Sequence, residues 1–373
     1  MKIVIAASTA FHLRHLAVEL DRLGVEVEFH SYLPRWKTRR YGLADRITVS
    51  HFLPLLPWSA LALLRGFEPW LRWVREGLFA KVDRRIAVTM GAADVFVGLS
   101  AIAVESAAKA RAGGALVLIE RGITHIAVQR RTALAGGFAP PSPVYFAREL
   151  ASYEAADKII VLSRFALNSF LAEDVSIKRL ETTMLGVDTD QFTPDDHVST
   201  GPVKAIFVGG WSSRKGADWF GPLLEAVPSM TLTHAGTQVD LPFPVHPRFT
   251  TLGHLPTARL AEALRQHDLL LFPSRDDGFG MVLAEALAGG LRVVASDACA
   301  APDLAEIVGE EFVTVVPSDD FAGFVVAIEQ QIAAIRNAPS SRSVPGVQIE
   351  SLSWQGYGQR YHAMLQRLLG QPR

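Results

Sequence analysis

The residues best suited to chemistry lie close together, in the stretch Pro273 to Glu285. Two carboxylates, Asp277 and Glu285, flank glycines at positions 278 and 280. Glycines let a backbone approach the start of a helix closely, and the first helical amides have no intrahelical partner, so this stretch suits a bound phosphate. Glu285 comes about five residues into the helix, roughly 7–8 Å along its axis. A phosphate site with a hydroxyl acceptor on either side is what a nucleotide sugar requires.

A strand, a loop and a helix must position this stretch. The apolar run Leu269–Phe272 predicts a buried strand, and residues 273–280 are rich in turn formers. Apolar residues at 282, 283, 286 and 287 have helical spacing, and the glycine pair at 289–290 ends the pattern before a further strand begins at Arg292. Ligands of a parallel sheet bind beyond the carboxyl ends of its strands, so we expect the loop to face a ligand.

A second loop with anion-binding character follows the predicted strand Lys204–Val208. Gly209 and Gly210 come at the end of this strand, and Arg214 and Lys215 stand at the start of a helical pattern over 217–226. Cationic side chains beside helix amides hold phosphate groups. The alternative is that the basic pair only covers a solvated helix start.

The whole chain alternates strand and helix patterns, which predicts an α/β fold with parallel sheets covered on both faces. Helical patterns cover 13–23 and 101–112 in the first half. The remaining predicted strands are Lys2–Ala7, Val25–His30, Ile47–Phe52, Asp94–Gly98, Ala115–Ile119, Lys158–Leu162, Thr231–His234, Phe249–Leu252, Arg292–Ala295 and Phe312–Val315.

Length and composition restrict the class of protein. A chain of 373 residues favours two domains, and we place their boundary near 184–200, where a polar run follows. The net charge of −1 gives no reason to expect a nucleic-acid partner. The single Cys299 excludes a disulfide framework, no metal-ligand spacing is visible, and the first strand is too short for a signal peptide. We therefore expect a cytoplasmic protein without a metal site.

The motif around Asp277 resembles a known signature. Asp277-Gly278-Phe279-Gly280, four residues and then Glu285 resembles the Glu-(any seven)-Glu motif of retaining glycosyltransferases with two facing Rossmann-like domains, the GT-B fold. The similarity is greatest to the large family 4, which contains sucrose synthase and many bacterial mannosyl- and glucosyltransferases. It extends over Pro273-Ser274 and 286–290, and Gly-Val-Asp at 186–188 resembles the family's interdomain signature. One departure is Asp277, which is shorter than Glu by one methylene.

The resemblance implies a donor site for a nucleotide diphosphate sugar, UDP- or GDP-linked, with no further cofactor. It implies that His125 contacts the donor sugar, that Lys215 stabilises the leaving diphosphate, and that Asp277 completes the catalytic set. Gly210 stands where the family has a diphosphate-binding Arg, which Arg214 or Arg275 would have to replace. The donor-binding residues are then Gly209, Gly210, Arg214, Lys215, Ser274, Asp277, Gly278, Phe279, Gly280, Met281 and Glu285.

Candidate acceptor-binding residues lie in the first half. Arg121 and His125 follow a strand and should project from its carboxyl end; Arg121 fits an acceptor phosphate or the donor. The alternative for His125 is a local hydrogen bond in the first turn of a helix. Ser8 and Thr9 stand where many family members have a glycine pair, and either replace it or cap the next helix. Arg164 belongs to a strand-end Ser-Arg pattern that recurs in the family.

Residues 35–85 differ in composition from the rest of the chain. They hold 11 basic residues against four acidic ones, and four of the seven tryptophans, at 36, 58, 70 and 73. Such a mixture suits contact with anionic lipid at the inner face of the membrane, or with a lipid diphosphate acceptor. The alternative is a helical hairpin packed on its own sheet with a solvated basic rim.

These observations predict a retaining, metal-independent hexosyltransferase that uses a nucleotide diphosphate sugar and a glycan or glycolipid acceptor, in bacterial cell-surface polysaccharide synthesis. No carboxylate pair suits double displacement, so the family's front-face reaction is expected. A nucleotide-sugar epimerase of the same fold and a non-catalytic sugar-nucleotide-binding scaffold protein remain alternatives. Helical spacing over Trp354–Leu369 predicts a last helix, which by resemblance crosses back to the first domain. The expected domains are 1–185 with residues 355–373, and 200–354.

Overall fold

The computed structural model describes residues 1–7, 12–56, 68–194, 201–337 and 344–370, without the side chains of 68–75 and 347. Within these ranges the chain forms two parallel β-sheets with helices on their faces. The predicted positions Ser8 and Thr9 lie outside the described residues, as do Trp58 and the side chains of Trp70 and Trp73.

The first sheet is built from the N-terminal half of the chain. Its spatial order is β3-β2-β1-β4-β5-β6-β7 in the described chain, and all neighbouring strands are parallel. The strands are β1 Lys2–Ala6, β2 Glu26–Ser31, β3 Thr48–Ser50, β4 Val95–Leu99, β5 Leu116–Arg121, β6 Lys158–Val161 and β7 Leu180–Thr182.

The second sheet follows the same plan, with the described order β10-β9-β8-β11-β12-β13 and parallel pairing throughout. Its strands are β8 Val203–Val208, β9 Met230–Ala235, β10 Phe249–Thr251, β11 Leu269–Phe272, β12 Arg292–Ser296 and β13 Val313–Val316. In each sheet the order runs outward in both directions from the first strand, which is the doubly wound arrangement. The predicted fold class is confirmed.

Helices cover both sheets and connect their strands. They are α1 Leu13–Arg22, α2 Arg35–Arg40, α3 Glu68–Thr89, α4 Glu105–Ala112, α5 Ile126–Ala135, α6 Pro143–Ala155, α7 Arg164–Leu171, α8 Phe220–Ala226, α9 Thr257–Arg265, α10 Met281–Ala288, α11 Ala301–Val308, α12 Phe321–Asn337, α13 Gly346–Ser351 and α14 Trp354–Leu369. Short 3₁₀ turns are Asp45–Ile47, Leu53–Leu55, Ile177–Arg179, Ser213–Lys215 and Ala217–Trp219. No helix in the described ranges is long and apolar enough to cross a membrane.

Two helix starts differ from the sequence prediction. The pattern over 101–112 becomes helical only at Glu105, where the carboxylate of Asp83 accepts hydrogen bonds from the amides of 104, 105 and 106 at 2.8–2.9 Å. The pattern over 217–226 begins as a 3₁₀ turn and becomes α-helical at Phe220. The first helix start is set by a side chain and the second by a turn. The spacing of apolar residues along the sequence reveals neither.

The last helix, α14, returns to the N-terminal half of the chain. The Trp354 ring stacks on the His15 ring of α1 with centroids 3.8 Å apart. Any Cβ at Gly358 would overlap with the Cβ of Glu19, so the two helices touch at backbone distance. The Val187 amide donates to the Leu352 carbonyl at 2.8 Å, which joins the segment between the two sheets to the chain just before α14.

Candidate functional site

Both predicted anion-binding loops leave the second sheet at the point where its strand order reverses. β8 and β11 are neighbours there, with Ala205 paired to Leu269, yet the chain winds outward from them in opposite directions. The loops 209–216 and 273–280 therefore start side by side at the carboxyl ends of adjacent strands. This is the place where doubly wound sheets bind ligands.

The two loops contact each other directly through their backbones. The Arg275 amide donates to the Arg214 carbonyl at 2.9 Å, and the Arg214 guanidinium donates to the Asp276 carbonyl. Gly216 has φ +72°, and a Cβ there would overlap with the Pro273 carbonyl. Only glycine combines this left-handed backbone with so close an approach.

Lys215 and Asp277, one from each loop, form an ion pair at the centre of the site. The Lys215 Nζ contacts the Asp277 Oδ2, with 12% and 19% of the two side chains exposed. The Asp277 Oδ1 accepts from the amides of Phe279 at 3.3 Å and Gly280 at 3.1 Å. Asp277 thus neutralises Lys215, the cation predicted to bind the diphosphate, and holds the loop that leads into α10.

Glu285 lies on α10 and is mostly buried. Burial raises the pKa of its carboxyl to about 7. Within the described chain its carboxylate makes no hydrogen bond or ion pair, and the buried Ser274 hydroxyl also lacks a partner there. The amides of Met281 and Val282 precede the first full turn of α10, so they have no intrahelical acceptor.

The position that the family fills with Arg is Gly210, and a Cβ there would lie 3.0 Å from the Val239 Cγ2. Of the two candidate replacements, Arg275 turns away from this point. Its guanidinium donates to both carboxylate oxygens of Asp218 at 2.6 and 2.7 Å. Arg214 remains beside Lys215 on the wall of the cleft described below.

His234, on the neighbouring strand β9, holds the loop that begins at Gly209 and was not among the predicted site residues. Burial disfavours the charged ring and lowers the pKa of His234. Its Nε2 donates to the Gly209 carbonyl at 2.9 Å, and its Nδ1 accepts from the Thr251 hydroxyl at 3.1 Å. A Cβ at Gly236 would overlap with the same Gly209 carbonyl. The sequence feature that could have identified His234 is its position near the end of β9, the strand next to β8.

A cleft of about 830 Å³ lies at this site. It separates the N-terminal half of the chain, which carries the first sheet, from the second half, which carries the second sheet. The second half contributes Gly210, Arg214, Lys215 and Asp276 to its wall. The opposite wall is largely apolar and aromatic, with Phe79, Ala133, Phe138, Ala139, Pro140, Pro141 and Tyr145 among its residues.

His125 is placed in the N-terminal half, at the start of α5. Its amide donates to the Ser169 hydroxyl at 2.8 Å, and its Nδ1 accepts from the Ala127 amide at 3.3 Å. Its buried ring packs edge-on against Phe170, and burial lowers its pKa to about 4. The local hydrogen bond is therefore formed, and the contact with a donor sugar stays a prediction.

The two arginines predicted to bind an acceptor are engaged in ion pairs. The buried Arg121 contacts the Glu149 carboxylate and donates to the Thr124 carbonyl at 3.0 Å. Arg164 reaches the second half, where its Nε lies 3.1 Å from Asp303 and its Nη1 lies 2.6 Å from Glu306. Their roles in acceptor binding stay predictions.

The loop that carries Asp277 also touches the N-terminal half. The Thr124 hydroxyl donates to the Asp276 Oδ1 at 3.0 Å, and the Ser163 hydroxyl donates to the Gly278 carbonyl at 2.7 Å. A Cβ at Gly278 would overlap with the Gly122 carbonyl. The predicted donor loop therefore contacts both halves of the chain, and its Asp276 lines the cleft. In the part of the chain that is described, no three His, Cys, Asp or Glu side chains are grouped to hold a metal ion.

Residues 202–334, which include both loops, match the family described as Glycosyl transferases group 1. The D-inositol 3-phosphate glycosyltransferase of Mycolicibacterium smegmatis is 27% identical over 193 residues, 46% of this chain and 44% of that protein. The chain thus spans less than half the length of this curated relative. The resemblance predicted from the motif is confirmed for the second half of the chain.

Solved structures match along the whole chain. Sucrose-phosphate synthase of Thermosynechococcus elongatus has a TM-score of 0.70 at 16% identity, with 99% of both chains covered. The HepE protein of Anabaena, in complex with UDP-glucose, has a TM-score of 0.66 at 15% identity, with 98% of this chain and 100% of that chain covered. These likenesses confirm the predicted GT-B fold.

Proposed function

We propose that this chain is a retaining glycosyltransferase that moves a hexose from a nucleotide diphosphate sugar to a glycan or lipid-linked acceptor. The observation that carries the proposal is the Lys215–Asp277 pair, which lies at the strand-order reversal of the second sheet and whose Lys215 lines the cleft. A cation, helix-start amides and hydroxyl acceptors meet there, as a nucleotide sugar requires.

The donor's diphosphate would lie between Lys215, Arg214 and the first amides of α10. Arg214 takes the part of the family's Arg that Gly210 lacks, since Arg275 is held by Asp218. Diphosphate binding draws the Lys215 ammonium from Asp277, whose freed carboxylate oxygen then accepts from a sugar hydroxyl. The unpaired Glu285 carboxylate accepts from the ribose hydroxyls, which accounts for a mostly buried acid without a partner.

In the proposed reaction the bond between the anomeric carbon and the diphosphate oxygen breaks. The acceptor oxygen bonds to the same face of that carbon, and the leaving diphosphate takes the acceptor's proton. Lys215, Arg214 and the amides stabilise the negative charge that develops on the diphosphate. Because these groups meet that charge, we propose that neither a divalent metal nor another cofactor is required.

The solved structure of HepE contains UDP-glucose, which supports a uridine donor over a guanosine one. The curated relative acts on an inositol phosphate according to its name, whereas the first-half wall of this cleft is largely apolar. We therefore keep the acceptor as a glycan or glycolipid of the bacterial cell surface.

A peripheral membrane contact at the inner face belongs to the same proposal. Trp36 on α2 and Leu53 in the turn after β3 are largely exposed, and α2 itself is rich in basic residues. Such a surface suits an anionic bilayer. The combined variant Trp36→Ala, Lys37→Glu should lose sedimentation with phosphatidylglycerol vesicles, while Val245→Ala, at an exposed valine of the second half, should retain it. Equal sedimentation of all three proteins would contradict the membrane contact.

The first experiment measures thermal stabilisation by UDP, GDP, ADP and their common sugar conjugates, with EDTA present. A ligand at about 100 times its Kd adds about 2.7 kcal/mol of stability. We expect one nucleotide to give a clear shift that Lys215→Ala abolishes, and slow release of that nucleotide from its sugar conjugate. An α-configured product from an α-linked donor would establish retention. No shift with any compound would overturn the proposal.

A scaffold protein that binds a sugar nucleotide without turnover is the second candidate, and the glycine at 210 favours it. The two functions differ in whether the wild-type protein transfers the sugar of the conjugate it binds. Transfer by wild type that Glu285→Ala loses, together with weaker nucleotide binding by that variant, supports the enzyme. A wild-type protein that binds the conjugate but leaves it intact with every acceptor tested supports the scaffold.

A further inference from the structure

Asp276, next to the proposed catalytic Asp277, is a buried carboxylate with one unpaired oxygen in the described residues. Its side chain is 2% exposed. One carboxylate oxygen, Oδ1, accepts from the Thr124 hydroxyl of the N-terminal half at 3.0 Å. The other, Oδ2, is fully buried and has no hydrogen-bond partner in the described residues. An unpaired buried carboxylate oxygen is costly, so its retention calls for a donor group that arrives from outside the protein.

The place of Asp276 indicates which molecule brings that donor. Asp276 lines the cleft together with Arg214 and Lys215. Its own carbonyl accepts from the Arg214 guanidinium, and the next residue, Asp277, contacts Lys215. A sugar attached to a diphosphate between these two cations would therefore lie next to the Asp276 carboxylate.

The contact with Thr124 does not by itself account for a carboxylate. A single acceptor oxygen is enough for that hydrogen bond, and an asparagine would supply it without burying charge. Desolvation by burial raises the pKa of Asp276, consistent with an acid that is under-satisfied in its surroundings. The second oxygen, Oδ2, accepts no hydrogen bond from the described residues.

We propose that Asp276 is a specificity-determining residue whose Oδ2 accepts a hydrogen bond from a hydroxyl of the donor sugar. Thr124 is its positioning residue, because the Thr124 hydroxyl fixes the rotation of the carboxylate from the opposite half. The sugar is then recognised only where the two halves meet. This inference rests on the proposed function and adds a contact outside the Asp277–Glu285 motif.

The test compares a nucleotide with its sugar conjugate by calorimetric titration, with UDP and UDP-glucose as probes. Asp276→Asn keeps an acceptor for Thr124 but places an NH₂ group at the position of Oδ2. We expect its affinity for UDP to stay within about twofold of wild type and its affinity for UDP-glucose to fall about tenfold or more. Deoxy analogues of the conjugate identify the hydroxyl, because the analogue without it should bind wild type and Asp276→Asn alike.

Three further variants separate recognition from structure. Asp319→Asn makes the same chemical change at an exposed carboxylate of the second half that does not line the cleft, and should leave both affinities unchanged. Thr124→Val should lower UDP-glucose affinity selectively, and Thr124→Ser, which keeps the hydroxyl, should restore it. A melting temperature near wild type for Asp276→Asn shows that the fold is intact.

The outcomes distinguish this inference from the proposed function. If UDP-glucose binds wild type and Asp276→Asn weakens UDP and UDP-glucose equally, or neither, the inference is wrong and the donor site stands. If wild type binds neither UDP nor UDP-glucose, and the GDP and ADP pairs fail as well, the proposed function and the inference fall together.

Discussion

Glu285 lies mostly buried on α10 without an ion pair in the described chain, and burial raises its pKa to about 7. A raised carboxyl pKa favours the folded state at low pH. That stability is present below about pH 4.5, declines as the pH rises, and is lost above about pH 7. Glu285→Gln should therefore match wild type near pH 4.5 and exceed it at pH 8 by at most about 3 kcal/mol. Urea unfolding at both pH values measures this.

The matched control for this titration is Glu154→Gln, at an exposed carboxylate in the last turn of α6. It should follow the wild-type pH dependence throughout. A difference between Glu285→Gln and wild type that stays constant from pH 4.5 to pH 8 would show that burial of the charge is not what governs Glu285.

Asp277 and a diphosphate compete for the same ammonium group of Lys215. Asp277→Asn keeps an acceptor oxygen for the amides of Phe279 and Gly280 but removes the charge that holds Lys215. We expect UDP, without a sugar, to bind this variant about three- to tenfold more tightly than wild type, while turnover of the sugar conjugate falls. Titration with UDP measures the first effect. Asp297→Asn, at an exposed acid of the same domain, should change neither, and weaker UDP binding by Asp277→Asn would contradict the competition.

Single residues also show where sequence reasoning stops. The contact between the loops of Lys215 and Asp277 was predictable, because both loops follow predicted strand ends of one parallel sheet. Arg121, at the end of β5, was expected at an acceptor, yet it pairs with Glu149, which stands 28 residues later on α6. Nothing local marks such a partner, because a buried arginine and an exposed one look alike in a sequence.

At the scale of elements, the site depends on how closely the loops after β8 and β11 approach. Gly216→Ala would place a Cβ against the Pro273 carbonyl in a backbone with φ +72°. We expect a loss of about 1–3 kcal/mol of stability and a nucleotide affinity at least tenfold lower, because Lys215 moves with the loop. Chemical unfolding and UDP titration measure these two effects.

Gly221→Ala provides the control for this element. Gly221 lies on α8, five residues further along, and a Cβ there has no atom within 4 Å. Alanine is favoured over glycine in a helix by about 1 kcal/mol, so this variant should be as stable as wild type or more so, with unchanged nucleotide affinity. If both variants behave alike, the close approach at Gly216 is not required.

Elements were predictable in proportion to their apolar content. β11 was predicted to the residue because four consecutive apolar residues form it, and the other central strands were found within one or two residues of their predicted ends. β7, Leu180–Thr182, was missed because it has one apolar residue and follows two basic ones, whereas flanking apolar residues such as Ile47 and Leu252 marked the equally short β3 and β10. The start of α4 depends on Asp83, which is more than 20 residues away.

At the scale of the whole molecule, the two halves meet at the start of α7 as well as at the cleft. The Ser163 hydroxyl reaches Gly278, and the Arg164 amide donates to both carboxylate oxygens of Asp303 at 3.2–3.3 Å. The Arg164 guanidinium adds ion pairs to Asp303 and Glu306. Sequence patterns predicted the two sheets separately, but they hold no information on contacts across 139 residues of chain.

Arg164 should therefore favour the arrangement in which the halves touch. Its side chain is 48% exposed, and an exposed ion pair contributes only about 0–1 kcal/mol, so Arg164→Ala should have a small effect. Arg164→Glu places a third acid beside Asp303 and Glu306 and should separate the halves, with a larger radius of gyration in small-angle X-ray scattering. High salt should reduce the difference, because screening weakens repulsion between exposed charges.

The control must reverse an equally exposed charge without crossing between the halves. Arg131 meets this condition, since it is 61% exposed and pairs with Glu173, which also lies in the N-terminal half. Arg131→Glu creates a similar repulsion there and should leave the radius of gyration unchanged. If UDP-glucose bridges the halves through Asp276 and Thr124, saturating ligand should bring Arg164→Glu back toward the wild-type radius, and UDP alone should do so less. An equal radius for Arg164→Glu and Arg131→Glu at low salt would mean that other contacts alone hold the halves together.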